Sequence, residues 1–223
     1  MAEVNLIVTP KPLEVAAAKL SEALKPGARL GVAGGSAIAA LKLVRESVTR
    51  ELWSSLKFTW VDERVVNMSD AQSNRGESFR KGALSVTQPV ALELPLVLDG
   101  EDGAAAVKRV TELFKRDFGG ALDVALLGIG EDGHVASLFP GKRELESEGP
   151  VLAISDSPKP PPHRVTLSLP VLARPGLERI IVAIGAGKRD ALERILAGDT
   201  SLPAARLGRV TLVTDQPVKA KTP

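Results

Sequence analysis

Short apolar runs alternate with segments of helical periodicity along almost all of this 223-residue chain. Runs such as Arg29–Ala33, Leu56–Val61 and Arg179–Ile184 are typical of strands that are buried on both faces. Between such runs, segments such as Pro12–Lys25 and Asp102–Phe118 place apolar residues at helical spacing. This alternation predicts an α/β fold in which a mostly parallel sheet is covered by helices on both faces.

The other predicted strands and helices alternate in the same way, and no linker-like stretch or internal repeat divides the chain. Residues 1–223 are therefore expected to form a single domain. Four prolines in Pro158–Pro162 predict a loop, because proline cannot donate to a strand ladder, and the tail from Val218 is predicted to fray. Further predicted strands are Val4–Val8, Leu92–Leu98, Val124–Leu127, Val151–Ser155, Val165–Leu169 and Val210–Thr214, and further predicted helices are Ala37–Arg45, Glu77–Leu84, Arg189–Leu196 and a short one beginning at His134.

Composition excludes several classes of protein. A net charge of +2 and 3% aromatic residues give no sign of a nucleic-acid-binding surface. The absence of cysteine excludes disulfides and thiolate metal sites, and two histidines argue against a histidine-rich metal site. Because no run approaches the ~20 apolar residues of a membrane helix and no signal-like segment is evident, we expect a cytoplasmic protein without a membrane partner.

The segment Leu122–Pro140 contains the most informative pattern, in which a buried strand leads into three glycines, two acids and a histidine. Its spacing matches the G-x-G-x-x-G of dinucleotide-binding loops. Two observations argue against that function. Glu131 and Asp132 lie where a pyrophosphate needs bare amides, and Pro140 ends the following segment too soon for a full crossover helix.

His134 is our candidate for a catalytic base, although a helix-capping histidine would fit the same position. Asp132, two residues earlier, is equally compatible with orienting that imidazole or the attacking water and with capping the loop. The second histidine, His163, stands in PPPHRV and is predicted to be a loop residue, whereas Arg164 beside it opens a strand and could point into the same cleft.

Three other strand ends carry groups that suit an anion. Gly34-Gly35-Ser36 offers free amides and a hydroxyl cap before a helix, and Gly185-x-Gly187-Lys188 offers a lysine before another helix. The latter is not a P-loop, since Arg189 replaces the required Ser or Thr. Simple turns would explain both motifs equally well. Asp62-Glu63-Arg64 could be a surface turn, or its arginine could bind phosphate oxygens in a bidentate manner.

Taken together, the four strand ends are more informative than any one of them. Parallel strands bring their carboxyl ends to one edge of the sheet, which is where open α/β sheets bind ligands. We therefore expect one pocket in which a phosphorylated small molecule lies next to His134.

The segments GVAGGS, TWVDERVV with SNRG, LLGIGEDGHVASLFPG, PHRVTLS and AIGAGK closely resemble the 6-phosphogluconolactonase family. The resemblance runs in order from Gly31 to about Lys188, and its GxGxDGHxASLFPG block is highly specific. It implies the three-layer α/β/α Rossmann-like fold of the superfamily that also contains glucosamine-6-phosphate deaminase. It also implies hydrolysis of 6-phosphoglucono-δ-lactone to 6-phosphogluconate in the oxidative pentose phosphate pathway, without metal or cofactor.

The resemblance implies that His134 is the base that activates water. It further implies that Arg64 and Lys188, the glycine–serine loop and Arg164 hold the phosphate. The partner would be a phosphorylated sugar lactone, and the protein a monomer or small homo-oligomer. The predicted catalytic residues are His134 and Asp132, and the predicted substrate-binding residues are Gly34, Gly35, Ser36, Asp62, Arg64, Gly130, Arg164 and Lys188, with no metal ligand.

Two alternatives have weaker support. A deaminase-like sugar-phosphate isomerase shares the Asp-Gly-His loop, but that branch would need an acidic continuation where this chain reads Ser137-Leu138-Phe139-Pro140. A non-catalytic sugar-phosphate sensor would typically carry a DNA-binding segment, and none is evident in the sequence.

Overall fold

A computed structural model describes residues 3–218 and places their ten strands in two sheets. The strands are β1 (Val4–Val8), β2 (Arg29–Val32), β3 (Lys57–Trp60), β4 (Asp62–Arg64), β5 (Leu92–Leu94), β6 (Val124–Gly128), β7 (Val151–Ile154), β8 (Arg164–Leu167), β9 (Glu178–Ala183) and β10 (Val210–Thr214). The α-helices are α1 (Pro12–Ala23), α2 (Ser36–Ser47), α3 (Arg50–Ser55), α4 (Asn74–Arg80), α5 (Gly103–Phe118), α6 (Leu169–Leu172) and α7 (Arg189–Leu196).

The larger sheet has seven strands in the order β1-β10-β9-β6-β2-β3-β5, and every neighbouring pair is parallel. Strand β6 lies in the middle between β9 and β2, and four of its five residues are buried. This arrangement confirms the predicted three-layer α/β/α fold.

Helix α5 shows how the apolar stripes of the helices close this core. Its buried residues Ala106, Val110, Phe114 and Phe118 recur at helical spacing. The Asp102 side chain caps its first turn by accepting from the Ala105 amide at 2.8 Å. The helix ends where Gly119 adopts a left-handed conformation, with φ of 60°.

The smaller sheet is antiparallel, in the order β4-β8-β7, and the sequence did not predict it. Val61 joins the two sheets, since its amide donates to Val32 of the large sheet at 3.0 Å and its carbonyl accepts from Leu167 of the small sheet at 2.8 Å. The structure excludes the surface-turn alternative for Asp62–Arg64, because this segment is a strand in which Asp62 and Glu63 are buried.

Helix α4 is tied to the large sheet through Trp60, at the end of β3. The Trp60 side chain is fully buried, packs edge-on against Phe58 and donates its indole N–H to Ser78 Oγ at 3.0 Å. Ser73 caps the start of α4 by accepting from the Gly76 amide at 2.9 Å, so the helix begins three residues before the predicted Glu77.

The predicted helix beginning at His134 was wrong. The segment 131–139 consists of turns, with an isolated bridge between Val135 and Leu138. Ala136 has a positive φ of 51°, which is incompatible with a right-handed helix. The Asp132 carboxylate also accepts from the His134 backbone amide at 3.3 Å, and this contact closes the loop around the histidine.

The predicted fraying of the tail beyond Val218 falls outside the described residues. Across residues 3–218, none of the helices has the length and apolar character needed to cross a membrane. That residues 1–223 form a single domain stays a prediction.

Candidate active site

A cleft of about 340 Å³ opens where β2, β6 and β9 end and where β4 and β8 of the small sheet face them. The structure thus brings the four predicted strand ends together. A wider cavity of about 820 Å³ lies at the amino ends of β6 and β9, beside Asp123 and Glu178, the opposite end from that at which open α/β sheets bind ligands. The predicted residues that line the cleft are Gly34, Gly35, Ser36, Asp62, Arg64, Gly130, His134, Arg164 and Lys188.

His134 and Asp132 form a close pair at the edge of this cleft. The imidazole Nδ1 lies 2.5 Å from Asp132 Oδ1, and the His134 ring packs 4.6 Å from the Phe139 ring. With Nδ1–H donating to the carboxylate, Nε2 carries the free lone pair. The loop is tight, since the Gly130 amide donates to the His134 carbonyl at 2.9 Å and a side chain at Gly130 would overlap the imidazole.

Burial is the main cause of a lowered pKa at His134, and it outweighs the opposing effect of Asp132, whose charge and hydrogen bond favour the imidazolium. For Asp132, burial alone would raise the pKa, but the attraction and hydrogen bonding of His134 hold it below its ordinary value. A carboxylate paired with a neutral imidazole is therefore the expected state near pH 7, and this is the state that a general base requires.

The glycine–serine loop contributes backbone rather than a side-chain cap. Gly35 occupies the N-cap position of α2 with φ of 66°, and the predicted hydroxyl cap is wrong because Ser36 is already the first helical residue. Within residues 3–218, the amides of Gly34 and Gly35 donate no hydrogen bond. These amides at a helix N-terminus suit an anion.

Asp62 is buried and holds two neighbours in the cleft. Its Oδ2 accepts from Ser137 Oγ at 2.8 Å, and its carbonyl accepts from Asn74 Nδ2 at 2.9 Å. Asn74 also lines the cleft, and its Oδ1 has no hydrogen-bond partner among the described residues. The sequence analysis assigned no role to Asn74, although the SNRG motif that contains it was one of the signals of the resemblance.

Glu63 fastens the strand β4 to the start of α4. Its buried carboxylate accepts from the amides of Arg64, Asn74 and Arg75 at 2.7–2.8 Å. Burial raises the pKa of Glu63, while these three amides oppose the shift by stabilising the charged form. This carboxylate fixes the backbone positions from which the Arg64 and Asn74 side chains reach the cleft.

Two of the predicted cations retain donors for a ligand. Arg64 uses Nη1 on the Gln72 carbonyl at 2.5 Å, and its buried Nε has no partner among residues 3–218. Burial lowers the pKa of Lys188, an effect opposed by the charge of Glu131. Neither cation has a carboxylate oxygen within 4.0 Å in the described part of the chain.

Arg164 is more deeply buried, with a relative exposure of 4%, and most of its donors are occupied. Three carbonyls of the proline loop and Ser137 Oγ accept from its guanidinium, and Asp62 Oδ2 lies 3.9 Å away. Burial lowers the pKa of Arg164, and the charge of Asp62 opposes that shift. One N–H is left for a ligand. The sequence analysis did not single out Lys159, which this loop carries into the cleft.

Among residues 3–218, no cluster of three or more histidine, aspartate or glutamate side chains is arranged to hold a metal ion. The cleft is lined by an imidazole, a carboxylate, cations and backbone amides.

Comparison with known proteins now adds to this geometry. The family model described as glucosamine-6-phosphate isomerases/6-phosphogluconolactonase matches residues 11–214. The chain belongs to this family. A 6-phosphogluconolactonase from Rattus norvegicus is 36% identical over 185 residues, which cover 79% of this chain and 72% of the rat protein.

Two further matches extend the comparison. A probable chloroplastic 6-phosphogluconolactonase 3 from Oryza sativa subsp. indica is 35% identical over 216 residues and 84% of this chain; the match spans 64% of the rice protein's length. The crystal structure of a putative 6-phosphogluconolactonase from Neisseria gonorrhoeae superposes with a TM-score of 0.78 at 22% identity, covering 96% of this chain and 99% of that one. At that identity the superposition shows a shared fold.

Proposed function

We propose that this protein hydrolyses 6-phospho-D-glucono-1,5-lactone to 6-phospho-D-gluconate. The observation that carries the proposal is that His134, paired with Asp132 behind it, lines one cleft with Arg64 and Lys188. A base beside cations without carboxylate partners suits a substrate that has an electrophilic carbonyl at one end and a phosphate at the other. Membership of the family and the names of its relatives support the same activity.

The reaction needs a nucleophile that can attack the lactone carbonyl carbon. In the proposed step, His134 Nε2 takes a proton from water while Nδ1–H donates to Asp132. The resulting hydroxide bonds to C1, and the carbonyl π electrons move to oxygen. Such positioned general-base assistance is worth about 10²–10⁴-fold in rate.

Collapse of the tetrahedral intermediate opens the ring. The oxyanion re-forms the carbonyl, the bond between C1 and the ring oxygen breaks, and the imidazolium at His134 returns its proton to that oxygen. The product is the open carboxylic acid, which ionises. The oxyanion also needs hydrogen-bond donors, because its stabilisation is commonly the largest single contribution to such reactions.

The phosphate end of the substrate fits the cationic side of the cleft. Arg64 offers its Nη2 donors, which bond to no described residue, Lys188 offers an ammonium, and Gly34 and Gly35 offer amides at the N-terminus of α2. We assign the phosphate to these groups and to the remaining N–H of Arg164.

A direct assay tests the proposal. The purified protein is added to freshly prepared 6-phosphogluconolactone in a pH-stat, and the rate is compared with that of spontaneous hydrolysis and with that of the His134→Asn variant. His163→Asn is the matched control, because His163 is an exposed loop residue outside the cleft. We expect the wild type and His163→Asn to hydrolyse the lactone well above background; a wild-type rate equal to background would refute the proposal.

The same protein preparation separates the two alternatives. Ammonia release from glucosamine 6-phosphate would indicate the isomerase activity, although this chain reads Ser137-Leu138-Phe139-Pro140 where that branch would need an acidic continuation. Binding of 6-phosphogluconate without turnover of either substrate would indicate a sensor. A cytoplasmic location and a monomeric or small homo-oligomeric state are part of this proposal.

A further inference from the structure

The loop Pro158–Pro162 is held in place from within the protein. The Arg164 guanidinium donates to the carbonyls of Lys159, Pro160 and Pro161 at 3.0–3.1 Å. Ser157 Oγ donates to the Lys159 carbonyl at 2.8 Å and accepts from the Lys159 amide at 3.2 Å. The backbone of Lys159 is thus fixed on both sides of its α-carbon, and the direction of its side chain follows from that anchoring.

The Lys159 side chain lies in the cleft with His134 and Lys188. Within residues 3–218, its ammonium donates no hydrogen bond and has no carboxylate oxygen within 4.0 Å, and the same is true of Lys188. The ammonium groups of Lys159 and Lys188 therefore share one small cleft without a carboxylate partner. The charge of Lys159 also lowers the pKa of Lys188, in addition to the larger effect of burial.

The number of charges indicates which end of the substrate they meet. A phosphate monoester is nearly a dianion at neutral pH, and its three terminal oxygens accept several charge-assisted hydrogen bonds at once. Two neighbouring ammoniums match this charge, whereas the single developing charge of an oxyanion would leave their mutual repulsion only half compensated. Lysine binds phosphate as a flexible point charge, so no fixed fork geometry is required.

We propose that Lys159 binds the substrate phosphate together with Lys188, and that Arg164 is the positioning residue that presents Lys159. This inference rests on the proposed function, since it names a further group for the same substrate. It assigns to Arg164 a task beyond the direct phosphate contact that the sequence analysis expected, because at least three of its donors hold the Lys159 loop.

The first test compares Lys159→Met and Lys159→Arg on phosphorylated and unphosphorylated gluconolactone. We expect Lys159→Met to raise KM for the phosphorylated lactone about tenfold or more, with kcat within about threefold of wild type, because one charge-assisted contact is lost. The unphosphorylated lactone should show no change in kcat/KM. Lys159→Arg should restore most of the loss, because it keeps the charge.

Lys142→Met is the matched control, since Lys142 is a half-exposed lysine that pairs with Asp156 near the same loop and lies outside the cleft. It should leave both substrates unaffected. Loss of kcat on both lactones in Lys159→Met would place Lys159 at the reacting carbonyl and overturn the phosphate assignment. Unchanged kinetics on the phosphorylated lactone would overturn it as well.

The second test addresses Arg164 through a double-mutant cycle. Arg164→Lys keeps the charge but cannot donate to three carbonyls, so it should raise KM for the phosphorylated lactone. In the Lys159→Met background the same change should have a much smaller effect, because no lysine is left to position. If the effects of the two substitutions on KM were fully additive, the positioning role of Arg164 would be overturned. Circular dichroism and the melting temperature check that each variant is folded.

Calorimetric measurement of the affinity for inorganic phosphate tests the assignment of Lys159 independently of the proposed lactone hydrolysis. If the wild type failed to hydrolyse lactones, the proposed function would fall. Weaker phosphate binding by Lys159→Met and normal binding by Lys142→Met would still support the assignment of Lys159. Equal phosphate affinities in all three proteins would refute it.

Discussion

The two sheets contribute different chemistry to the same cleft. The parallel sheet presents strand ends, and these supply His134, Asp132 and the free amides of the glycine loop after β2. The antiparallel sheet presents cationic side chains, since Arg64 and Arg164 are paired directly across β4 and β8. The parallel sheet is therefore expected to supply the base for the chemical step together with Lys188 and free amides for the phosphate. The antiparallel sheet is expected to act through binding of the anionic end alone.

This division has a physical basis. Carboxyl ends of parallel strands expose backbone donors at helix N-termini without burying a charge. A charged side chain in a buried antiparallel ladder must instead be compensated, as Asp62 is by the Ser137 hydroxyl and Glu63 is by three backbone amides. With such partners the antiparallel sheet presents Arg64 and Arg164 at the edge of the cleft. Variants of His134 and of Arg64 should therefore separate kcat from KM.

The largest expected effect is the loss of kcat on replacing His134, which follows strand β6 of the parallel sheet. His134→Asn should lower kcat for the phosphorylated lactone by about 10²–10⁴-fold, because general-base assistance is lost. The affinity for 6-phosphogluconate, measured by calorimetry, should stay within about threefold of wild type, because the cations are untouched. A kcat equal to that of wild type would remove His134 from the chemical step.

A substitution that leaves both catalytic side chains intact should have the next largest effect. In Gly130→Ala the added methyl group would overlap the His134 ring and the Asp132 carboxylate, so the pair must move. We expect kcat to fall about 10²-fold, the cost typical of misplacing a reacting group by about 1 Å.

Gly149→Ala is the control for that change, because the nearest atoms to an added methyl group there lie 3.8 Å and 3.9 Å away. Its kcat should match that of wild type. A normal kcat in Gly130→Ala would show that the loop can move without cost, and that the close fit around His134 is not required.

The antiparallel sheet should show the opposite kinetic pattern. Arg64→Met should raise KM for the phosphorylated lactone about 10- to 100-fold, since a charge-assisted contact is lost, and leave kcat within about threefold. Arg143→Met is the control, because the Arg143 side chain is 94% exposed and lies outside the cleft. A selective loss of kcat in Arg64→Met would place Arg64 at the reacting carbonyl and break the division between the sheets.

The smallest expected effect is a shift in pH dependence. His134 acts as a base only when neutral, so kcat/KM rises with pH through its pKa. Burial lowers that pKa and the Asp132 carboxylate raises it, so Asp132→Asn should move the acidic limb of the profile to lower pH. Profiles of kcat/KM for both proteins, measured from about pH 5 to 8, test this shift. Movement of the acidic limb to higher pH in Asp132→Asn would contradict the prediction.

The parallel sheet was largely predictable from the sequence, and the antiparallel sheet was not. The β10 strand and the α7 helix have their predicted bounds, because continuous apolar runs and helical periodicity are local signals. The pairing of Asp62–Arg64 with β8 depends on residues about a hundred positions away, and nothing in the charged tripeptide encodes it. Lys159 was not predicted either, because its position depends on hydrogen bonds from the Arg164 side chain to the backbone of the proline loop.

The contact between Trp60 and Ser78 has a spectroscopic consequence. The chain contains no tyrosine and two tryptophans, and both Trp53 and Trp60 are buried. Its ultraviolet emission therefore arises from two shielded indoles, one of which is hydrogen-bonded to the helix that begins with Asn74. A change of emission wavelength or intensity on titration with 6-phosphogluconate would report movement of that helix without any attached dye.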